Sequence, residues 1–353
     1  MAHGHRNLRP LDAPGTVICV TTFKGGTTKT FICETLAYLM TKDRKLRVLL
    51  IDADPQGNLS MSFGVHPTQH KENLREALMG ALEFNPVDAL MDNILALDVV
   101  GMGHDTFLIP GGERVHDAMK VLQGRVALHG DGPIDTLKLL TDAAKERFDV
   151  ILVDMPPALA DLSTNMALHA ADHVISPVVD PGSADGLAPL LVRVAREAGR
   201  REHLVLPALD VHIICPRLVA EVAAPIGEHA RTGMSLPAWY GIVRDAFADV
   251  FIDEPVRFTR KAFGSYGDAK GFVALAGEAK KDWRHLADAF YARLLGASGL
   301  PLSLYTDPAP ITTYTQALHA SFADSLKAVR KVRFLDVKAP KAPKAAPAAD
   351  AAA

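Results

Sequence analysis

Long apolar runs are missing from this chain of 353 residues. No stretch reaches the run of about 18 apolar residues that a membrane-crossing helix needs. Met1 to Arg6 carry charge, but no apolar segment of signal-peptide type follows. The expectation is a protein neither secreted nor membrane-spanning. Cysteine is scarce. Cys19, Cys33 and Cys215 form no C-x-x-C pair and fit small core residues in a reducing cytoplasm. Neither sign of charge dominates, since 38 Lys and Arg against 41 Asp and Glu leave a net −3. A chain basic as a whole is excluded, so any contact with DNA must come from a local patch. Aromatic residues make up 6% against 48% hydrophobic, which suits a helix-rich α/β domain.

What the chain does have is concentrated between Val17 and Asp54. Val17-Ile18-Cys19-Val20 reads as a buried strand. Phe23-Lys24-Gly25-Gly26-Thr27-Thr28-Lys29-Thr30 reads as a glycine loop. A helix opens near Thr30, with Phe31, Ile32, Leu36, Ala37, Leu39 and Met40 at its apolar positions. Strand, glycine loop and helix N-terminus together aim backbone N–H groups at a phosphate. In that arrangement Lys29 neutralises the β/γ-phosphates and the Thr30 hydroxyl ligates Mg²⁺. The loop departs from G-x-x-x-x-G-K-[ST] at both glycine positions, where Phe23 and Thr28 stand. The competing reading is a glycine turn with two solvated lysines.

Two further strands end in carboxylates. Lys45 to Asp54 is apolar through its centre, as parallel strands buried on both faces are, and runs into Asp52-Ala53-Asp54-Pro55-Gln56-Gly57-Asn58. Phe148 to Pro157 holds Val150-Ile151-Leu152-Val153-Asp154, the Walker B form whose aspartate holds Mg²⁺. Carboxylates at the C-terminal edge of parallel strands lie where open α/β sheets bind ligands. As a structural alternative, Asp-Pro and Gln-Gly-Asn are turn formers. His104, His116 and His129 lack metal-ligand spacing and read as surface residues. His3 and His5 lie in a polar arm.

Lys24-Gly25-Gly26-x-x-Lys29-Thr30 resembles the deviant P-loop of the ParA/MinD-type ATPases, with Lys24 in the place of their signature lysine. The motif from Asp52 to Asn58, the run from Asn165 through Asp172 to Val178, and Gly186-Leu187 continue the likeness. It covers about residues 15 to 300. It implies an α/β P-loop NTPase with a mostly parallel twisted sheet and helices on both faces; beyond it, helical spacing predicts a C-terminal helix, and the Ala/Pro/Lys composition a disordered tail. The domains expected are an arm (1–14), the ATPase domain (15–300), a helical extension (301–336) and an Ala/Pro/Lys tail (337–353). The activity implied is ATP-dependent DNA partition. Such an ATPase forms ATP-sandwich homodimers, binds non-specific DNA in the cytoplasm at the nucleoid, and is stimulated by a ParB-like partner during slow Mg²⁺-dependent hydrolysis.

The resemblance also assigns roles. Lys24, Gly25, Gly26, Thr27, Thr28, Lys29, Thr30 and Phe31 hold ATP, with Lys24 reaching the nucleotide of the partner subunit. Thr30 and Asp154 hold Mg²⁺, with Asp52 as a possible third ligand, and Asp54 aligns the attacking water. Pro216 and Arg217, after the strand Val211 to Cys215, are base-site candidates. Arg257, Arg260, Lys261 and Lys270 are the candidate DNA contacts, with a solvated basic face as the alternative. Two departures from the family stand out. Thr28 replaces a glycine, so the loop is expected to adopt dihedrals that a Cβ tolerates. Phe31 replaces a second Thr/Ser and leaves only its backbone N–H for the α-phosphate. Rival functions are an ATP-gated DNA-binding module with negligible hydrolysis and a positioner of another cargo. A MinD-like membrane regulator is disfavoured because the tail lacks a bulky apolar face. An iron–sulfur reductase is disfavoured because no cysteine falls in a suitable loop.

Overall fold

The computed structural model describes residue 11 and residues 13–97, 105–129, 132–157, 162–204, 209–218, 227–258, 275, 277–295 and 313–320. Arg260, Lys261, Lys270, His104 and the 337–353 tail lie outside the described residues, as does most of the 1–14 arm.

From the amino end, β1 (Thr16–Val20) leads through the glycine loop into α1 (Lys29–Arg44), β2 (Val48–Asp52) and the short α2 (Asn58–Ser62). Next come α3 (Leu74–Glu83), α4 (Pro86–Asn93), the short β3 (Leu95–Ala96), β4 (Thr106–Ile109) and α5 (Glu113–His129). Then follow α6 (Thr136–Lys145), β5 (Val150–Asp154), α7 (Leu162–Ala170), β6 (His173–Pro177), α8 (Pro181–Asp185), α9 (Leu187–His203) and β7 (Asp210–Ile214). A small hairpin, β8 (Gly227–Glu228) with β9 (Ser235–Leu236), precedes α10 (Ala238–Ala246), β10 (Phe251–Ile252) and α11 (Gly277–Leu295). Residues 313–320 are helical.

The main sheet runs β10-β7-β6-β1-β5-β2-β4-β3. Every neighbouring pair is parallel except β3 with β4. Alternation of side chains along each strand builds two cores. Val17, Cys19, Leu49, Ile51, Ile151 and Val153 face one layer. Ile18, Val20, Val48, Leu50, Val150 and Leu152 face the other. A strand that must bury both faces is apolar throughout, which explains the continuous runs in the sequence. α1 and α11 cover one face, with Phe31 edge-on to Trp283 at 5.4 Å between ring centres. Helices α3 to α7, α9 and α10 cover the other.

The extension after residue 300 docks on this second layer in its described part. Tyr314 and Leu318 are buried there, and the Tyr314 ring packs on Phe247 at 4.7 Å. The three cysteines are free and buried. β1 lies between β5 and β6, and the chain leaves it first toward β2 on one side before later filling the other. A change of direction of this kind opens a crevice at the C-terminal ends of the strands.

Candidate nucleotide site

That crevice is where the sequence motifs meet. Val20 is in register with Asp154, and Asp154 with Asp52, so three strand ends bring the loop and both carboxylates together. Gly25 and Gly26 are exposed, and a Cβ on either would meet nothing within 4 Å. The roof of the loop is therefore open to a ligand. Gly26 has φ 73°, a conformation that glycine adopts without strain.

Lys29 opens α1 and is only 8% exposed. Burial pushes its ammonium below the usual lysine range, while Asp154 and Asp54 pull the other way. The Thr30 hydroxyl donates to Asp154 Oδ2 at 2.7 Å. Asp154 Oδ1 is buried and has no hydrogen-bond partner among the described residues. Burial, then the neighbouring Asp52, raise this carboxyl well above the ordinary range, against the pull of the Thr30 hydroxyl and Lys29. A buried carboxylate oxygen left without a donor is costly, and a hard divalent cation would relieve it. Thr30 and Asp154 supply oxygen donors of the kind Mg²⁺ takes, with substrate phosphates completing such sites. The residues fit the ion. Among the described residues no cluster of three His, Cys, Asp or Glu side chains forms a self-sufficient metal cage.

Asp52 does something else. Oδ2 accepts from the Ser60 N–H at 2.8 Å and the Ser60 hydroxyl at 2.6 Å, and Oδ1 accepts from the Asp54 N–H at 3.2 Å. Burial raises it to about 6 against those bonds. These bonds tie α2 and the Asp54 turn to the strand, a structural task beside the third Mg²⁺ position expected of Asp52. Gly111 is pressed against the same group, since a Cβ there would stand 2.4 Å from the Asp52 carbonyl oxygen. Asp54 is 9% exposed, and its Oδ1 accepts from the Gln56 N–H at 2.9 Å. It faces the crevice on a turn held at both ends.

Thr28 corrects one expectation. Its φ of 68° and ψ of 19° lie in the left-handed region, where a Cβ is disfavoured. The residue is the N-cap of α1, yet its side chain makes no cap bond and donates instead to the Thr27 carbonyl.

The AAA domain family matches residues 15–203, more than half of the chain. The chain belongs to that family. It is of the ParA/MinD type. Chromosome partitioning protein ParA of Caulobacter vibrioides is 32% identical over 190 residues, which is 53% of this chain and 64% of that protein. Among solved structures, a McdA variant from Cyanothece in complex with ATP superposes with a TM-score of 0.57 at 18% identity. That alignment covers 79% of this chain and 97% of that one. Cobyrinic acid a,c-diamide synthase of Mycobacterium smegmatis, with a bound ATP analogue and magnesium, gives 0.55 at 22%, covering 81% and 98%. These two likenesses concern the fold.

In this AAA-domain chain the remaining expected residues are placed unevenly. Lys24 does not point into open space. Its Nζ donates to both oxygens of Asp180, at 2.9 and 2.8 Å. Asp180 caps α8 in a box with Ser183. Its partial burial alone would raise it, yet Lys24 and Ser183 hold it below the ordinary carboxylate range. Gly182 leaves room for the lysine, since a Cβ there would lie 2.6 Å from Nζ. Pro216 is buried just past β7, and the Arg217 guanidinium sits 5.7 Å over the Phe258 ring.

Arg257, expected among DNA contacts, instead bonds the buried Asp282 through Nε at 2.6 Å. That bond fastens the segment after β10 onto α11. Sequence reasoning missed Asp180 and Ser60. Asp180-Pro181-x-Ser183 carries a helix-capping pattern that could have marked the first, but nothing local marks Ser60 as the partner of Asp52.

Proposed function

We propose that the chain is a ParA-type positioning ATPase that partitions DNA. It binds ATP in the loop from Lys24 to Phe31, with Mg²⁺ on Thr30 and Asp154. The observation that carries this reading is the half-satisfied Asp154 beside the buried Lys29 at the mouth of an open glycine loop. Lys29 and the loop N–H groups neutralise and orient the phosphates, Asp54 aligns a water, and positioning with charge neutralisation carries the reaction. Mg²⁺, when bound, would supply charge to the phosphate oxygens. Pro216 and Arg217 flank the base. ATP brings two subunits together, with Lys24 crossing to the partner nucleotide. The dimer binds DNA without sequence preference at the nucleoid and is reset by a ParB-like partner.

Two observations favour a second reading. Lys24 is engaged by Asp180 and Thr28 is held in a disfavoured conformation, which suits an ATP-gated DNA-binding protein with negligible hydrolysis. The same gate could serve a cargo other than DNA. Released phosphate, measured with and without DNA and the partner, separates these readings. Lys29→Ala is expected to abolish ATP binding. Asp54→Ala is expected to keep ATP binding and dimer formation while phosphate release falls. Unchanged ATP affinity in Lys29→Ala would remove the P-loop assignment. Unchanged phosphate release in Asp54→Ala would remove the role given to that carboxylate.

A further inference from the structure

α9 carries Arg193, Arg196, Arg200 and Arg201, and the four have different surroundings. Arg201 turns inward, where its Nη2 donates to the carbonyls of Leu168, His169 and Ala171 at the end of α7. It is a helix cap. The other three stand at i, i+3 and i+7, which is one face of a helix. With Asn165, Leu168 and Glu197 they line a groove of about 260 Å³ between α7 and α9. Glu197 does not cancel them. Its Oε1 is 2.7 Å from His169 Nδ1 and 3.5 Å from Arg201 Nε.

Arg193 donates to the Asn165 amide oxygen, a neutral partner, at 2.9 Å. Arg200 stands 4.0 Å from Asp135, whose carboxylate is already 2.9 Å from His169 Nε2. Arg196 is exposed and has no hydrogen bond or ion pair among the described residues.

We propose that this groove binds the phosphodiester backbone of a nucleic acid. Guanidinium forks match phosphate oxygens two at a time. Seven residues of helix place the outer arginines about 10 Å apart along the axis. About three phosphates of one strand fall within that length. The cations form a line rather than a cage, which fits a polymer better than a single anion. Among the six lining side chains only Leu168 is apolar, so the groove lacks the apolar or aromatic anchor on which protein interfaces depend. Arg257, expected among the contacts, already pairs with Asp282. The proposal rests on the DNA-binding half of the reading above and adds a site to it.

The test is a salt titration of binding to a labelled short DNA duplex, with and without ATP, using the full chain. Each lost phosphate contact should lower the slope of log affinity against log salt by about 0.9. Arg193→Gln, Arg196→Gln and Arg200→Gln combined should lower it by up to about 2.7. Arg196→Gln alone, a fully surface change, should lower it by about 0.9 even if the triple variant folds poorly. Lys281→Gln, which removes an exposed charge on α11, should leave the slope in place.

A wild-type chain that binds duplex with a slope indifferent to these arginines overturns the groove and spares the DNA reading. A wild type that binds no duplex in any nucleotide state overturns both. Binding of polyglutamate as tight as that of duplex, with the same arginine dependence, would make the surface an acidic-peptide site and also overturn the proposal.

Discussion

The two edges of the sheet use the same residue type in opposite ways. At the amino edge, carboxylates lock strands together. Asp149 accepts from the Arg47 N–H at 2.6 Å, while Asp172 accepts from the Val17 N–H and from Lys145, each at 2.8 Å. At the carboxyl edge, Asp154 keeps an orphaned buried oxygen beside a buried ammonium. A chain folding only for stability would not bury charge half-paired, because an unsatisfied polar group costs about 1–3 kcal/mol. The difference marks the second edge as the place where the fold waits for a ligand.

The largest expected effect breaks that comparison directly. Asp172→Ala strips an acceptor from a buried strand N–H and leaves Lys145 without its partner. It should cost about 2–3 kcal/mol in urea unfolding. Asp154→Asn should change stability by less than about 1 kcal/mol, in the stabilising direction, while nucleotide turnover is lost. Equal losses of stability in the two variants would show that the edges do not differ.

Titration sharpens the same contrast. His212 is 2% exposed, with Nε2 3.1 Å from His173 Nδ1 and its ring edge-on to Phe290. Burial, then the charges of His173 and Arg293, push it down to about 3. The unfolded chain takes up the proton first, so the contribution of His212 is full above about pH 6.5 and is lost as pH falls toward 3.

The acids of the other half slope the other way. Burial raises Asp52 to about 6 and Glu34 to about 7, so their carboxyl forms favour the fold at low pH and the advantage fades as pH rises through those values. Both acids remain in His212→Phe, so the difference from wild type isolates the histidine. Between pH 7.5 and 5 the wild type should lose about 2 kcal/mol more than the variant, by chemical unfolding. Parallel curves would show that the imidazole titrates normally.

Legibility follows locality. The strand from Val17 to Val20, the glycine loop, and the carboxylates Asp54 and Asp154 were readable because a strand, a turn and a helix start are encoded by consecutive residues. The two-sided core was readable for the same reason, through unbroken apolar strands. Long-range partners were not. Lys24 and Asp180 are 156 positions apart, and no period links them. Nothing near Asp52 in the sequence announces Ser60 as its partner, eight positions on, and nothing near Arg257 announces Asp282 on α11. The arginine line on α9 was not singled out from the sequence, because its meaning depends on the groove that α7 completes.

Thr28 stands at the carboxyl edge as the N-cap of α1, and its replacement by glycine should have the smallest effect. A β-branched residue in the left-handed region carries about 1–2 kcal/mol of strain, which glycine removes. Glycine also gains freedom in the unfolded chain, worth roughly 0.5–1 kcal/mol against it. Stability should therefore shift by no more than about 1 kcal/mol. Turnover is the informative measurement. If the strained N-cap holds Lys29 and Thr30 short of their best position, Thr28→Gly should raise phosphate release severalfold. Thr28→Ala keeps a Cβ in the left-handed region while removing the γ-methyl and the hydroxyl that donates to Thr27, so it should leave turnover near the wild-type value. A fall in both variants would instead assign the hydroxyl a contact with phosphate, and the strain at the head of α1 would then have no part in setting the rate.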